Sequence, residues 1–205
     1  MSAELSTEPN MKQNKLKEYL MKIMLWITCF LLISSTCFLA RANASPSFIC
    51  HQSYALCTTA PCTSVPGTKN KSICSCVVKD GVSLGQLPCD KRKLTTNNKG
   101  QQLLTSNFSF ENSATNKVMT CTGNHPWTDC LDKPCIIDPI NSNQAICTCD
   151  IKYSESFLTF GGQCTTETCG TTLYSGASIE MFSQGTQALV KTLNLTKSPM
   201  KNCPR

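Results

Sequence analysis

The sequence predicts a small, disulfide-rich, mainly β protein: two tandem six-cysteine modules followed by a C-terminal amphipathic helix. Three observations carry that expectation. Cysteine accounts for 16 of 205 residues, about 8%, the density at which an exported chain is held by covalent staples more than by a large core. The cysteines recur twice in the same order among short β-branched runs, and a clear 3.6-residue apolar pattern appears only near the C terminus. With 8 Phe, 4 Tyr, 2 Trp and 2 His the chain is poor in the side chains that fill ordinary cores. Its formal charge of +6 is small and scattered, and does not point to a nucleic-acid partner.

Residues 1–44 read as an export signal. Lys12, Lys15, Lys17 and Lys22 precede an unbroken apolar run at residues 23–40, and Ala42 and Ala44 form the small-residue pattern that signal peptidase accepts. Cleavage after Ala44 yields a chain that begins at Ser45 and is secreted to an extracellular or periplasmic space. An uncleaved single-pass anchor is the competing reading: the 18-residue run is just long enough to span a bilayer, and the lysines ahead of it place the C-terminal part outside. Only on that reading is a membrane a partner. Cys29 and Cys37 lie in this segment, so the exported part keeps 14 cysteines, an even number as complete pairing requires.

Those fourteen are Cys50, Cys57, Cys62, Cys74, Cys76 and Cys89, then Cys121, Cys130, Cys135, Cys147, Cys149 and Cys164, with Cys169 and Cys203 remaining. The intervening gaps are 6, 4, 11, 1 and 12 residues in the first set and 8, 4, 11, 1 and 14 in the second. At an offset of 73, Cys57, Pro61, Cys62, Pro66, Asn70, Ile73, Cys74, Cys76 and Lys79 meet Cys130, Pro134, Cys135, Pro139, Asn143, Ile146, Cys147, Cys149 and Lys152, nine matches in 23 positions. That is an internal duplication, with modules at residues 45–89 and 121–164. The β-branched residues around Cys74-Ser75-Cys76 and Cys147-Thr148-Cys149 mark a strand in each copy. Cysteines two apart on a strand share a face but sit at or beyond bridging reach, so each should bond to a different neighbouring segment. Six cysteines permit 15 connectivities.

Six cysteines with a short second gap, a longer third gap and one residue between the fourth and fifth resemble EGF-like modules. The resemblance implies bridges from first to third, second to fourth and fifth to sixth: Cys50 with Cys62, Cys57 with Cys74, Cys76 with Cys89, then Cys121 with Cys135, Cys130 with Cys147 and Cys149 with Cys164. It rests on cysteine order. Ser72 and Ala145 stand where that family usually has an aromatic residue, and Ser47-Phe48-Ile49 and Val118-Met119-Thr120 stand where its calcium-binding members carry acids. No calcium site is implied.

Residues 90–120 lack cysteine and turn polar. Asp90-Lys91-Arg92-Lys93 reads as a solvated start to a linker, and the partly alternating stretch 103–110 as an added strand. In the extension 165–205, Ile179, Phe182, Leu189, Val190 and Leu193 share one helical face, Ser178 is placed to cap, and Gly185 weakens the pattern, giving a helix over about residues 178–195. Cys169 and Cys203 flank it and are expected to pair, pinning it to the second module.

No catalytic, cofactor-binding or metal-ligating set emerges. His51 and His125 are the exported histidines and lack a local signature of nucleophilic catalysis. Asp129, Asp132, Asp138 and Asp150 read as turn residues. Cysteines spaced like these, in an oxidising compartment, read as disulfides rather than zinc ligands. Trp127, in a polar stretch, is a candidate binding anchor, with partial burial over a disulfide as the alternative. Asn70, Asn107 and Asn194 lie in glycosylation sequons. The functional expectation is an exported, non-enzymatic interaction module with a protein or glycan partner. A protease inhibitor or toxin-like effector using the Cys57–Cys62 loop is the second reading, and a thiol–disulfide exchange protein the third.

Overall fold

The computed structural model describes residues 18, 20–24, 46–110, 117–161, 164 and 168–203. The chain divides into Met1–Ala44 and Ser45–Arg205. Most of the expected signal, including nearly all of the 23–40 run, lies outside the described residues. No described helix is long and apolar enough to cross a membrane.

From Ser45 onward the fold is mainly β. The first copy supplies β1 (Phe48–Leu56), β2 (Pro61–Ser64) and β3 (Lys71–Gly85), then a 3-10 turn at Cys89–Arg92 and strands β4 (Thr95–Thr96) and β5 (Gln102–Asn107). The second supplies β6 (Lys117–Thr122), β7 (Pro126–Asp129), β8 (Pro134–Ile137), β9 (Gln144–Tyr153) and β10 (Ser156–Gly161). A short helix α1 (Thr168–Thr171), β11 (Leu173–Tyr174) and the helix α2 (Ile179–Thr192) complete it. At the offset of 73, β2 becomes β8, the first ten residues of β3 become β9, and the end of β1 becomes β7. Two extra residues in the second copy break one long strand into β6 and β7, at a turn where Gly123 and Asn124 take φ of 101° and 56°.

The copies are not separately closed modules. β3 and β9 pair antiparallel from Lys71↔Asp150 to Val77↔Gln144, with Cys74 opposite Cys147. Each of these two cysteines is the other's equivalent, so a pseudo-two-fold axis passes between them, the isologous arrangement of a symmetric dimer. The strand following each copy reaches across to the other. β5 runs beside β1 of its own copy and pairs with β8, while β11 pairs with β2 and Ser175 bridges Thr128 at the end of β7. The segment expected to be a linker is therefore an interlocking strand. Nine strands form one sheet, and a two-stranded sheet of β6 and β10 lies beside it.

All fourteen cysteines from Ser45 onward pair, in seven bridges, none of which the EGF-like resemblance implies. Cys57–Cys76 and Cys62–Cys74 nest inside Cys50–Cys89. Cys130–Cys149 and Cys135–Cys147 repeat the inner pattern, inside Cys121–Cys169. Strand register is the reason. Cys62 lies opposite Cys74 and Cys135 opposite Cys147, with Cα separations of 4.1 and 4.2 Å, the close approach of a directly opposed antiparallel pair. Leu56 opposes Val77, so the next residue, Cys57, meets Cys76. Cys169 is thus not the partner of Cys203. It closes the second copy, and Cys164–Cys203 pins the tail.

Alternation buries Ser72, Cys74 and Cys76 and leaves Ile73 and Val77 about half exposed. The core is correspondingly sulfur-rich: Cys57, Cys74, Cys76, Cys130, Cys135, Cys147 and Cys149 pack in one cluster with Ala55, Leu104, Phe108 and Leu131. α2 starts as expected, with Met181 N–H donating to Ser178 Oγ at 3.1 Å. Its buried stripe is rotated from the expected one. Gly185 and Leu189 face inward, Met181 and Phe182 pack on the core, and Ile179 and Leu193 are 54% and 44% exposed. Gly185 is no weakness, since a Cβ there would lie 2.4 Å from Leu84 Cδ2. A larger residue there would push the Leu84 side chain aside.

Candidate functional site: an apolar pocket between the copies

The pocket described in this fold lies where the two copies meet beneath α2. Its walls are Leu84 at the end of β3, Phe108 and Phe110 after β5, Leu131, residues 158–160 of β10, Ser175, Gly176 and Ala177 after β11, and Met181 and Phe182 of α2. Its enclosed space is about 30 Å³, a shallow recess with room for one small group. The lining follows the duplication. Thr58 and Leu131 occupy the same turn of each copy, and Leu84↔Phe108 in the first corresponds to the bridge Leu158↔Ala177 in the second. The symmetry is broken by size, because Phe108 stands on one side where Ala177 stands on the other.

Ser175 gives the pocket a polar point. Its counterpart, Ser106, is fully engaged: Ser106 Oγ donates to the carbonyls of Cys130 and Lys133, and Lys133 N–H donates to it at 2.8 Å. Ser175 uses its main chain in the same way, Ser175 N–H donating to Ala60 O at 3.0 Å and Thr159 Oγ1 donating to Ser175 O at 3.0 Å. Its hydroxyl, however, is buried and has no hydrogen-bond partner among the described residues. A buried hydroxyl left unmatched costs about 1–3 kcal/mol, and Ser175 shares a mostly apolar wall with Ser47, Thr58, Gln86 and Thr159.

A polar knot supports one edge of the pocket. Gln86, which lines it, donates its N–H to Asp132 Oδ2. Leu87 N–H and Asn107 Nδ2 also donate to Asp132, each at 3.0 Å. Arg92 is completely buried, with Nη2 donating to Phe48 O at 3.3 Å. Burial raises the Asp132 carboxyl above its ordinary range, opposed by those bonds and by the Arg92 charge. Burial lowers Arg92, and Asp132 offsets part of that. The charge run at residues 90–93 therefore contains one core residue, contrary to its solvated reading. Nothing in composition distinguishes Arg92 from its neighbours; its place one turn after Cys89 brings it inward.

Trp127 is not a surface anchor. It is 4% exposed, stacks on Phe157 at 5.8 Å between ring centroids, and Trp127 Nε1 donates to Ser154 Oγ at 2.9 Å. Beside it pack Cys121 and Cys169, so it lies over a disulfide. The Cys57–Cys62 loop does not project either. Cys57 and Ala60 are buried, and Ala60 N–H closes a turn on Cys57 O at 3.2 Å.

Among the carboxylates, Asp129 and Asp138 cap turns, accepting from Leu131 N–H at 3.2 Å and Ile140 N–H at 2.8 Å. Asp132 and Asp150 do more. Asp150 joins Lys71 of the first copy at 2.5 Å to Lys133 of the second at 2.7 Å, and these ammonium groups hold its carboxyl down at about 2. Of the sequons, Asn70 and Asn194 are exposed, whereas Asn107 is buried with Nδ2 given to Asp132.

No protein-family model matches this chain, no curated protein matches it, and no solved structure matches it.

Proposed function

We propose that the protein is an exported, non-enzymatic binding module that receives an apolar side chain of a protein partner in the pocket beneath α2. The observation that carries this reading is the coincidence of an apolar recess with the unmatched, buried hydroxyl of Ser175. An apolar group from the partner fills the recess, and a polar atom next to it accepts from Ser175 Oγ. Aromatic and aliphatic walls suit a peptide better than a glycan, whose hydroxyls would lose water there without gaining partners. Seven disulfides are compatible with an oxidising, extracellular compartment. With residues 1–44 as its export signal, the working form begins at Ser45. The inhibitor reading has less support, because Cys57 and Ala60 of the loop on which it rested are buried and Thr58 and Thr59 half-buried.

Ala177→Phe tests the proposal by placing in the second copy the ring that the first already has at Phe108. Peptides selected from a displayed random library on the wild type should share an apolar anchor and lose at least tenfold in affinity on the variant. Near-UV circular dichroism checks that the variant is folded. Peptides that bind both proteins equally, or selection that yields no common anchor, would overturn the pocket as the binding site.

A further inference from the structure

The four inner disulfides are close enough to react with one another. Cys57, Cys135 and Cys147 have sulfurs all within 4.8 Å of each other, and so do Cys62, Cys74 and Cys130. These trios are equivalent under the duplication, with Cys57 matching Cys130, Cys62 matching Cys135 and Cys74 matching Cys147. Every one of the six sulfurs is already in a disulfide, so neither trio offers a metal the thiolates it would need. Between the copies, Cys74 Sγ lies 3.3 Å from Cys130 Sγ, and Cys57 Sγ lies 3.5 Å from Cys147 Sγ. Those are near-attack separations between atoms of different bridges.

One of these bridges has a partly exposed end. Of the eight cysteines in these four disulfides, Cys62 alone is not buried. It lies on β2, between the exposed Pro61 and Thr63. The bridge Cys62–Cys74 therefore has one reachable sulfur and one that touches the next disulfide.

We infer that Cys62–Cys74 is the way into a disulfide relay that, on contact with an external thiol, replaces a bridge within each copy by one bridge between the copies. A thiolate RS⁻ attacks Cys62 Sγ, forming RS–Cys62 and releasing Cys74 as thiolate. Cys74 then attacks Cys130 Sγ, forming Cys74–Cys130 and releasing Cys149, which takes the proton that the thiol gave up. Two disulfides break and two form, so no net electron change occurs in this exchange. A phosphine reductant enters at the same place with two electrons and leaves thiols at Cys62 and Cys149. The product joins β3 covalently to the segment preceding β8, across the pseudo-two-fold axis. The second trio has the same geometry but both ends of Cys135–Cys147 are buried, so entry is one-sided although the sulfur arrangement is symmetric.

The test is limited reduction of the oxidised protein by a phosphine at less than one equivalent, at pH 3 and at pH 8, followed by trapping with N-ethylmaleimide and peptide mapping by mass spectrometry. At pH 3 thiols remain protonated and do not exchange, so the species reduced once among the four inner disulfides should be labelled at Cys62 and Cys74. At pH 8 the labels should move to Cys62 and Cys149, with a new Cys74–Cys130 linked peptide. Labels at Cys62 and Cys74 at both pH values would overturn the relay. Among the four inner disulfides, first reduction at any bridge other than Cys62–Cys74 would overturn its point of entry and with it the proposal. Both experiments use the folded wild-type protein, so no variant needs to fold, and their outcome does not depend on the peptide pocket.

Discussion

Replacing Gly85 by Ala should destabilise the protein far more than one methyl group ordinarily does. A Cβ at this position would lie 2.4 Å from Asp132 Oδ1, 2.5 Å from Arg92 Nη1 and 2.6 Å from Asn107 Nδ2. Real contacts need about 3.4 Å or more, so three polar atoms must each retreat by roughly 1 Å. Arg92 and Asn107 are fully buried and have nowhere to go. A shift of that size breaks the Asn107–Asp132 and Leu87–Asp132 hydrogen bonds, both 3.0 Å long. Bonds to a charged group are each worth about 1.5–3 kcal/mol, and overpacking adds about 1 kcal/mol, so the loss is about 4–7 kcal/mol. Urea unfolding under oxidising conditions measures it. With a slope of about 2 kcal/mol/M, the midpoint should fall by roughly 2–3.5 M. Gly67→Ala is the control: its φ of +78° strains a side chain but nothing lies within 4 Å, and it should cost only about 1 kcal/mol. Equal midpoint shifts in the two variants would refute the claim that packing against the Arg92–Asp132–Asn107 knot fixes Gly85.

Other outcomes follow from single residues. Asp150, held at about 2 by Lys133 and Lys71, has a folded value below its unfolded one. Its contribution is thus full above about pH 4 and lost as pH falls from there toward 2. Because the site is partly solvated, the effect is about 1 kcal/mol, and Asp150→Asn should flatten the acid limb of the stability curve by that amount. Asp132 acts in the opposite sense: burial raises its carboxyl, so its protonation on acidification favours the folded state, and Asp132→Asn should cost more stability at pH 4 than at pH 7. Leu189→Ala, at the most buried point of α2, should cost about 3 kcal/mol, against less than about 0.5 kcal/mol for the exposed Ile179→Ala, both read from thermal unfolding. In the chain from Ser45 onward Trp127 is the sole tryptophan, and its fluorescence should be blue-shifted and shielded from iodide until the protein unfolds; a solvent-like spectrum in the native state would contradict its burial on Phe157.

What the sequence by itself determined is local or periodic. The recurring cysteine spacing, the Cys-x-Cys strands and the Ser178-capped helix all rest on spacing along the chain, and backbone geometry converts spacing directly into faces and turns. The added strand after the first copy was legible for the same reason. Tertiary structure alone decided who pairs with whom. The bridges follow the register of β1 on β3, β2 on β3 and β8 on β9, and register depends on contacts between segments far apart in sequence. Whether two copies close separately or fuse depends on whether β3 and β9 find each other's edges, and neither edge is labelled as such in the sequence. Arg92 and Trp127 show the same limit from the side of burial. Each sits in a polar stretch, yet each is drawn inside by neighbours that only the folded chain supplies: Gly85 and Asp132 for the one, Phe157 and the Cys121–Cys169 bridge for the other. The pocket belongs to this second class, since its walls come from both copies and from α2, and no single segment of the chain contains it.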